Sequence, residues 1–385
     1  MTTNHLSIVY PHNQRLMGGK ANDILIMRTC HALARNGHNV NLVTGRPFEG
    51  GDIYDYYGIK ASSRLNIIKV PMLRGKPFSW HFIYNLFCLF KLIELKRSNM
   101  ADIVYLRELK LARFLLRFKK VIGLPFAIEV HDLKIKKFYE FLPKRNPMEQ
   151  YVFKNVDGII VLLNVFGDIL KETYDINNIP LVKIPLASDR FPFSYKLSDK
   201  KMICYIGQLY PAQGIELMLE SLTYLPDASL SIIGGNDRDL HRLKRIAADK
   251  GLSDRTLFHG FVKPQHVFER AKDADVMVIC AVNKGKRRYS AHAKLYEYMA
   301  MGKPIVAFDI PSIREETINM KNVLLAKPDD PKDLATKIAM VLNNKELAEA
   351  LAFNAYQTAE DYTWEKRANR LADFFKSLIK HEVQA

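Results

Sequence analysis

Lys294 and Glu297 are the pair in this 385-residue chain whose types and spacing most directly imply chemistry. Three residues apart, they share one face near the N-terminal end of a helix that stops at Gly302, before Pro304 opens an apolar strand. A helix N-terminus offers amide donors and a partial positive charge, which suits phosphate. A cation for diphosphate beside a carboxylate for ribose hydroxyls is what a nucleotide-sugar site needs. A surface ion pair of the same spacing would contribute little. The apolar residues around Lys294 and Glu297 instead place their helix inside a domain.

Four other clusters have types and positions suited to chemistry. Gly18 and Gly19 precede a helix that begins near Asn22, and glycines let backbone amides approach an anion closely. Glu129-Val130-His131-Asp132 stands at the carboxyl end of a predicted strand, where an open sheet displays its functional groups. Gly207, Gln208 and Gln213 lie in the loop after another strand; Gly234-Gly235 and Gly260-Phe261-Val262 follow two more. Lys284-Gly285-Lys286-Arg287-Arg288 puts four cations just before the Lys294 helix. Asp237 and Asp239 read as the N-cap and first turn of a helix rather than as metal ligands. No metal and no cofactor are expected.

These groups need a scaffold of strands with loops at one edge, and the hydrophobic pattern predicts one. Strands are predicted at Leu6–Tyr10, Val40–Thr44, Leu65–Val70, Ile103–Leu106, Phe126–Val130 and Gly158–Leu162, with helical stretches between them. A second series runs through Met202–Ile206, Leu230–Ile233, Thr256–Phe258, Val276–Ile279, Ile305–Phe308 and Val323–Leu325. The fold class is therefore α/β, as two parallel-sheet domains. Residues 1–190 form the first domain, 195–360 the second, and 361–385 a closing helix.

The segment Arg288-Tyr289-Ser290-Ala291-His292-Ala293-Lys294-Leu295-Tyr296-Glu297-Tyr298-Met299-Ala300-Met301-Gly302-Lys303-Pro304 resembles the donor-site helix of retaining glycosyltransferase family four. Leu33-Ala34-Arg35-Asn36-Gly37-His38-Asn39-Val40 is similar to that family's first helix and second strand. The resemblance implies the GT-B fold: two facing Rossmann-like domains with a deep interdomain cleft, the last helix bracing the first domain. It implies Glu297 on the donor ribose, Lys294 and Arg288 on the diphosphate, and His131 beside the transferred sugar. Gly18 and Gly19 would meet the phosphates and acceptor, while Gly235 and Val262 would approach the nucleotide. The family's Gly-Arg-Leu-x-x-x-Lys-Gly loop reads Gly207-Gln208-Leu209 through Gln213-Gly214 here, so both of its cations are replaced. Tyr289 stands where the family has its earlier glutamate. The implied function is metal-independent, retaining hexosyl transfer from a nucleotide sugar to a lipid-linked or polysaccharide hydroxyl. A nucleotide-sugar epimerase or hydrolase of the same fold, or a non-catalytic scaffold of glycan assembly, stays open as an alternative.

Composition sets the surroundings. The net charge of +16 implies attraction to phosphate, an anionic membrane face or a charged substrate. Basic amphipathic stretches at His81–Arg97 and Lys110–Lys120, with Lys134–Lys137, concentrate in the first domain. Core helices with snorkelling cations would read the same way. No nucleic-acid-binding motif is present, so nucleic acid is not an expected partner. Four scattered cysteines, no signal-peptide layout and no apolar run of about 20 residues point to a cytoplasmic protein, peripheral on the inner membrane face at most.

Overall fold

The computed structural model describes residues 5–17, 21–46, 51–72, 80–131 and 145–384. The chain divides into two compact units: Met1–Pro185 with Trp364–Ala385, and Leu186–Thr363. The first unit ends at Pro185 rather than 190, and the closing helix begins at Trp364 rather than 361.

Unit one holds a seven-stranded parallel sheet. Its strands are β1 (Ser7–Arg15), β2 (Asn39–Gly45), β3 (Leu65–Val70), β4 (Ile103–Leu106), β5 (Phe126–Val130), β6 (Gly158–Val161) and β7 (Leu181–Lys183). They are ordered β3-β2-β1-β4-β5-β6-β7, so the connections reverse direction between β1 and β4. Strands β4, β5 and β6 are buried along their whole length, as apolar runs must be when helices cover both faces of a sheet. The helix Ala21–Arg35 packs Ile26, Met27, Cys30 and Leu33 into the core at helical spacing. The helix Trp364–Gln384 lays Ala368, Leu371, Ala372, Phe375 and Leu378 into the same core. Each such large apolar side chain stabilises the unit by roughly 1.5–3 kcal/mol, so the helix is part of the fold rather than an appendage.

Unit two repeats the plan. Strands β8 (Met202–Ile206), β9 (Ser229–Ile233), β10 (Thr256–Gly260), β11 (Val276–Ile279), β12 (Ile305–Phe308) and β13 (Leu324–Ala326) are ordered β10-β9-β8-β11-β12-β13. All pairings are parallel, and the reversal falls between β8 and β11. Asp275, buried just ahead of β11, accepts hydrogen bonds from Ser198 N (2.8 Å), Met202 N (2.8 Å) and Ser198 Oγ (3.0 Å), tying the start of β8 to its neighbour. The helix Asp237–Asp249 is capped by Asn236, whose side chain accepts from Asp239 N. Asp237 and Asp239 occupy its first turn, where negative charge meets the helix dipole. That accounts for the aspartate pair without a metal.

Candidate active site

In unit two, at the reversal between β8 and β11, Lys294 meets Tyr205, Gly207 and Gln213. Lys294 belongs to the helix Ala293–Ala300, which follows β11. Its Nζ donates to Tyr205 Oη at 2.5 Å and to Gln213 Oε1 at 3.0 Å, and lies 3.9 Å from the Tyr205 ring centre. Tyr205 is the fourth residue of β8. Its hydroxyl also lies 2.8 Å from the Gln208 carbonyl and 3.2 Å from Gln213 Oε1. Tyr298, one turn along the donor helix, accepts from Ile206 N at 2.8 Å and fixes that helix against the end of β8. Gly207, at φ +139, passes so close that a Cβ there would lie 3.1 Å from Lys294 Nζ. Only glycine suits both that backbone and that gap.

The two glutamines of this loop differ in role. Gln208 has an exposed side chain and contributes its backbone carbonyl. Gln213 is buried; its Nε2 donates to Tyr210 Oη (2.7 Å) while its Oε1 receives Lys294. Gln213 stands where the family's loop carries its second cation. Its amide is instead committed to the protein, and Gln213 orients the lysine. Tyr205 was missed altogether, because nothing in an apolar strand marks one tyrosine as a lysine's partner.

The rest of the donor set is placed as follows. Glu297 lies half-buried one turn after Lys294, and His292, at the N-cap, makes no side-chain cap hydrogen bond. Arg288 sits in the 3-10 turn Gly285–Tyr289 with its guanidinium 5.6 Å from the Tyr289 ring centre. The side chains of Lys286 and Arg287 lie outside the described residues. Gly235, at φ +87, packs against Leu209, which a Cβ would meet at 2.3 Å. It closes the loop after β9 onto the loop after β8. Val262 is half-buried in the coil following β10.

Unit one has its own cavity of about 620 Å³ at the ends of β1, β4 and β5, lined by Asn13, Gln14, His81, Arg107, Glu129 and His131 among others. His131 lines it, and its Nε2 is hydrogen-bonded to Glu129 Oε1. Glu129 is buried and contacts Tyr105 Oη through its other oxygen, which also receives Arg367 Nη2 at 2.5 Å. Burial alone would raise the Glu129 pKa, but Arg367, then His131 and the hydrogen bonds, hold it well below the usual carboxylate range. The His131 imidazole is pushed down to about 4, by burial first and then by the Arg107 charge, against the opposing pull of Glu129. The carboxylate is already neutralised by Arg367, so a second cation at His131 would be buried without its own counter-charge. His131 is therefore neutral, with its proton on Nε2 facing Glu129 and Nδ1 left as an acceptor. It can receive a hydroxyl proton in a hydrogen bond; it cannot serve as a proton donor at neutral pH. Gly18, Gly19 and the Lys134–Lys137 stretch lie outside the described residues.

Comparison with known proteins identifies the family and the fold. The model described as Glycosyltransferase Family 4 matches residues 24–189, and that described as Glycosyl transferases group 1 matches 188–358. The chain belongs to the family-four glycosyltransferases. An uncharacterized glycosyltransferase of Methanocaldococcus jannaschii is 23% identical over 402 residues, spanning 96% of this chain and 97% of its own. A second from that organism is 23% identical over 259 residues, and the chain spans 64% of its length. Among solved structures, sucrose-phosphate synthase from Thermosynechococcus elongatus superposes with a TM-score of 0.75 at 17% identity, covering 97% of this chain and 100% of that one. Anabaena HepE in complex with UDP gives 0.72 at 13% identity, with the same coverage. The fold is GT-B, and this family-four chain carries it with glutamines at 208 and 213 in the loop after β8.

Among the described residues, no group of three or more His, Cys, Asp or Glu side chains is placed to hold a metal ion.

Proposed function

We propose that this glycosyltransferase moves a hexosyl unit, with retention and without a metal, from a nucleotide sugar to a hydroxyl of a lipid-linked or polysaccharide acceptor. One observation carries the reading: an ammonium, Lys294 Nζ, fixed by Tyr205 and Gln213 beside Gly207 at the sheet's reversal point. Such a group suits the departing diphosphate, with the donor-helix tip adding its dipole and Arg288 a second charge. Glu297 takes the ribose hydroxyls. His131 Nδ1 accepts from a sugar hydroxyl. In this reading the bond from the anomeric carbon to phosphate breaks as the acceptor oxygen bonds on the same face, and the acceptor proton passes to the leaving phosphate. The complexes of HepE with UDP and with UDP-glucose support a nucleotide-sugar donor.

Thermal shift against UDP-, GDP- and ADP-sugars, followed by calorimetry with the best nucleotide, tests this. Lys294→Met removes a charge-assisted bond worth roughly 1.5–3 kcal/mol, so affinity falls about 10- to 150-fold. Equal affinity in wild type and Lys294→Met rejects the site. A free or altered nucleotide sugar without transfer would select the epimerase or hydrolase instead, and no nucleotide binding at all the scaffold.

The acceptor side of the proposal rests on charge and surface. Unit one carries 32 Lys and Arg against 18 Asp and Glu, whereas unit two carries 25 against 23. On the helix Trp80–Arg97, Phe82, Phe87 and Phe90 are exposed on one side, and Phe82 also lines the cavity. Phe118 and Val121 are exposed on the adjoining turn, among the exposed cations Arg117 and Lys120. An apolar stripe among cations suits an anionic bilayer that presents a lipid-linked acceptor. The setting we assign is the inner face of a membrane, with the enzyme peripheral and cytoplasmic. No helix among the described residues is long and apolar enough to cross a bilayer. Phe87→Ser/Phe90→Ser should abolish sedimentation with anionic vesicles while leaving nucleotide binding intact. Unchanged sedimentation rejects this face.

A further inference from the structure

Arg367 stands 238 residues from Glu129 in sequence, on the helix that brings the chain back into unit one. Its side chain is almost fully buried, and beyond Glu129 it donates to the carbonyls of Ile184 (2.9 Å) and Pro185 (2.5 Å). Pro185 is the last residue before the chain leaves unit one, and Trp364 is the first after it returns. One guanidinium therefore pins both crossing segments and neutralises the carboxylate that holds His131. A tether for the closing helix would not need that carboxylate, since apolar contacts of Ala368, Leu371, Phe375 and Leu378 already seat the helix.

We propose that Arg367 is a positioning residue for the sugar pocket: by holding Glu129 in place it fixes the carboxylate that binds His131 Nε2, and so sets the ring that lines the cavity. The groups that face this pair are Tyr105 on β4, Arg107 after it, Tyr10 on β1 and Arg367 itself. Both tyrosines are held neutral far above their ordinary range by burial, so they donate or stay silent rather than supply charge. Arg107 opposes a proton on His131, and only Glu129 favours one. Without Arg367, more of the Glu129 charge acts on His131 and raises its affinity for a proton, while burial and Arg107 still oppose one.

The inference rests on His131 being the sugar-pocket residue, but its test can be read without donor or acceptor. NMR titration of the His131 ring in the free, full-length protein is the measurement. In Arg367→Met its pKa should rise by about one unit, which leaves the ring neutral at pH 7, so transfer should fall on the acid side, with its acid limb moved to higher pH. Arg367→Lys keeps the charge and should leave His131 titrating close to wild type. If Arg367→Met does not fold, Arg367→Gln keeps hydrogen-bond donors for Ile184 and Pro185 without the charge, and reads the same titration. An unmoved His131 in the uncharged variants, with only a lower melting temperature, overturns the proposal and leaves Arg367 a tether. A moved His131 with an unchanged transfer rate upholds the positioning role and removes His131 from the sugar site.

Discussion

Restoring the family's lysine at position 213 is the sharpest perturbation this structure invites. Gln213 Oε1 lies 3.0 Å from Lys294 Nζ and, with Tyr205 Oη, accepts a hydrogen bond from it. Gln213→Lys replaces that acceptor with a second ammonium. Two like charges 4 Å apart repel by about 4 kcal/mol at an effective dielectric of 20. A flexible lysine swings away and solvent screens part of this, so roughly 1–2 kcal/mol of lost stability should remain. For a unit of this size that is a fall of about 2–8 °C in melting temperature without ligand. A bound diphosphate reverses the sign. It lies between two cations, relieves their repulsion, and gains a charge-assisted bond where a neutral amide stood. A gain of about 1.4 kcal/mol is tenfold in affinity, and relief of repulsion adds to it. The assay is paired: melting of the free protein, then calorimetry with the nucleotide diphosphate that stabilises wild type best. The variant should melt lower alone and bind more tightly. An unchanged melting temperature together with equal or weaker binding would refute both the contact and the diphosphate assignment.

Acid should weaken unit one in two stages. The His131 pKa is lowered to about 4, below its unfolded value near 6.5. As pH falls between those values the unfolded chain takes up the proton first, so stability drops by at most about 3 kcal/mol. Glu129 is depressed below its unfolded value near 4.5, so its contribution is present above that pH and lost as pH falls further. Urea melts at pH 7 and 4.5 measure the first stage, which His131→Gln should remove; an equal pH slope in that variant would assign it elsewhere. In unit two, Asp275→Asn leaves two amides, Ser198 N and Met202 N, sharing one neutral acceptor oxygen. A loss of roughly 1–3 kcal/mol is expected from denaturant melts, and nucleotide affinity should not change; full stability would mean that the tie contributes nothing.

What the sequence disclosed, and what it withheld, follows from how far each interaction reaches along the chain. Both sheets were legible because fully buried parallel strands are short apolar runs, as Ile103–Leu106 and Val276–Ile279 are. Strand β7 was not, since three half-buried residues at a sheet edge show neither a run nor an alternation. Strand β1 extends to Arg15 through polar residues, past the predicted end at Tyr10, because His12 and Asn13 are buried against its neighbours. The Lys294–Glu297 helix carried its own signature in spacing and stop signals. The groups that make it a site did not. Tyr205 and Gln213 lie 89 and 81 residues from Lys294, and Arg367 lies 238 from Glu129. Their types are ordinary for a strand, a loop and a surface helix, so only the fold distinguishes them.

Under the proposed function, the loop after β8 redistributes roles rather than losing them. Gln208 and Gln213 take two cations from the loop, yet Lys294 is held by Tyr205 of the strand and Gln213 of the loop, with Gly207 leaving room at its tip. A lysine so restrained loses less side-chain entropy on meeting an anion than a free one, which recovers part of what the missing charges would have supplied. The excess of cations in the whole chain lies almost entirely in unit one. Raised ionic strength should therefore weaken attachment to anionic vesicles more steeply than nucleotide binding, since screening acts most on exposed charges and least on a half-buried lysine.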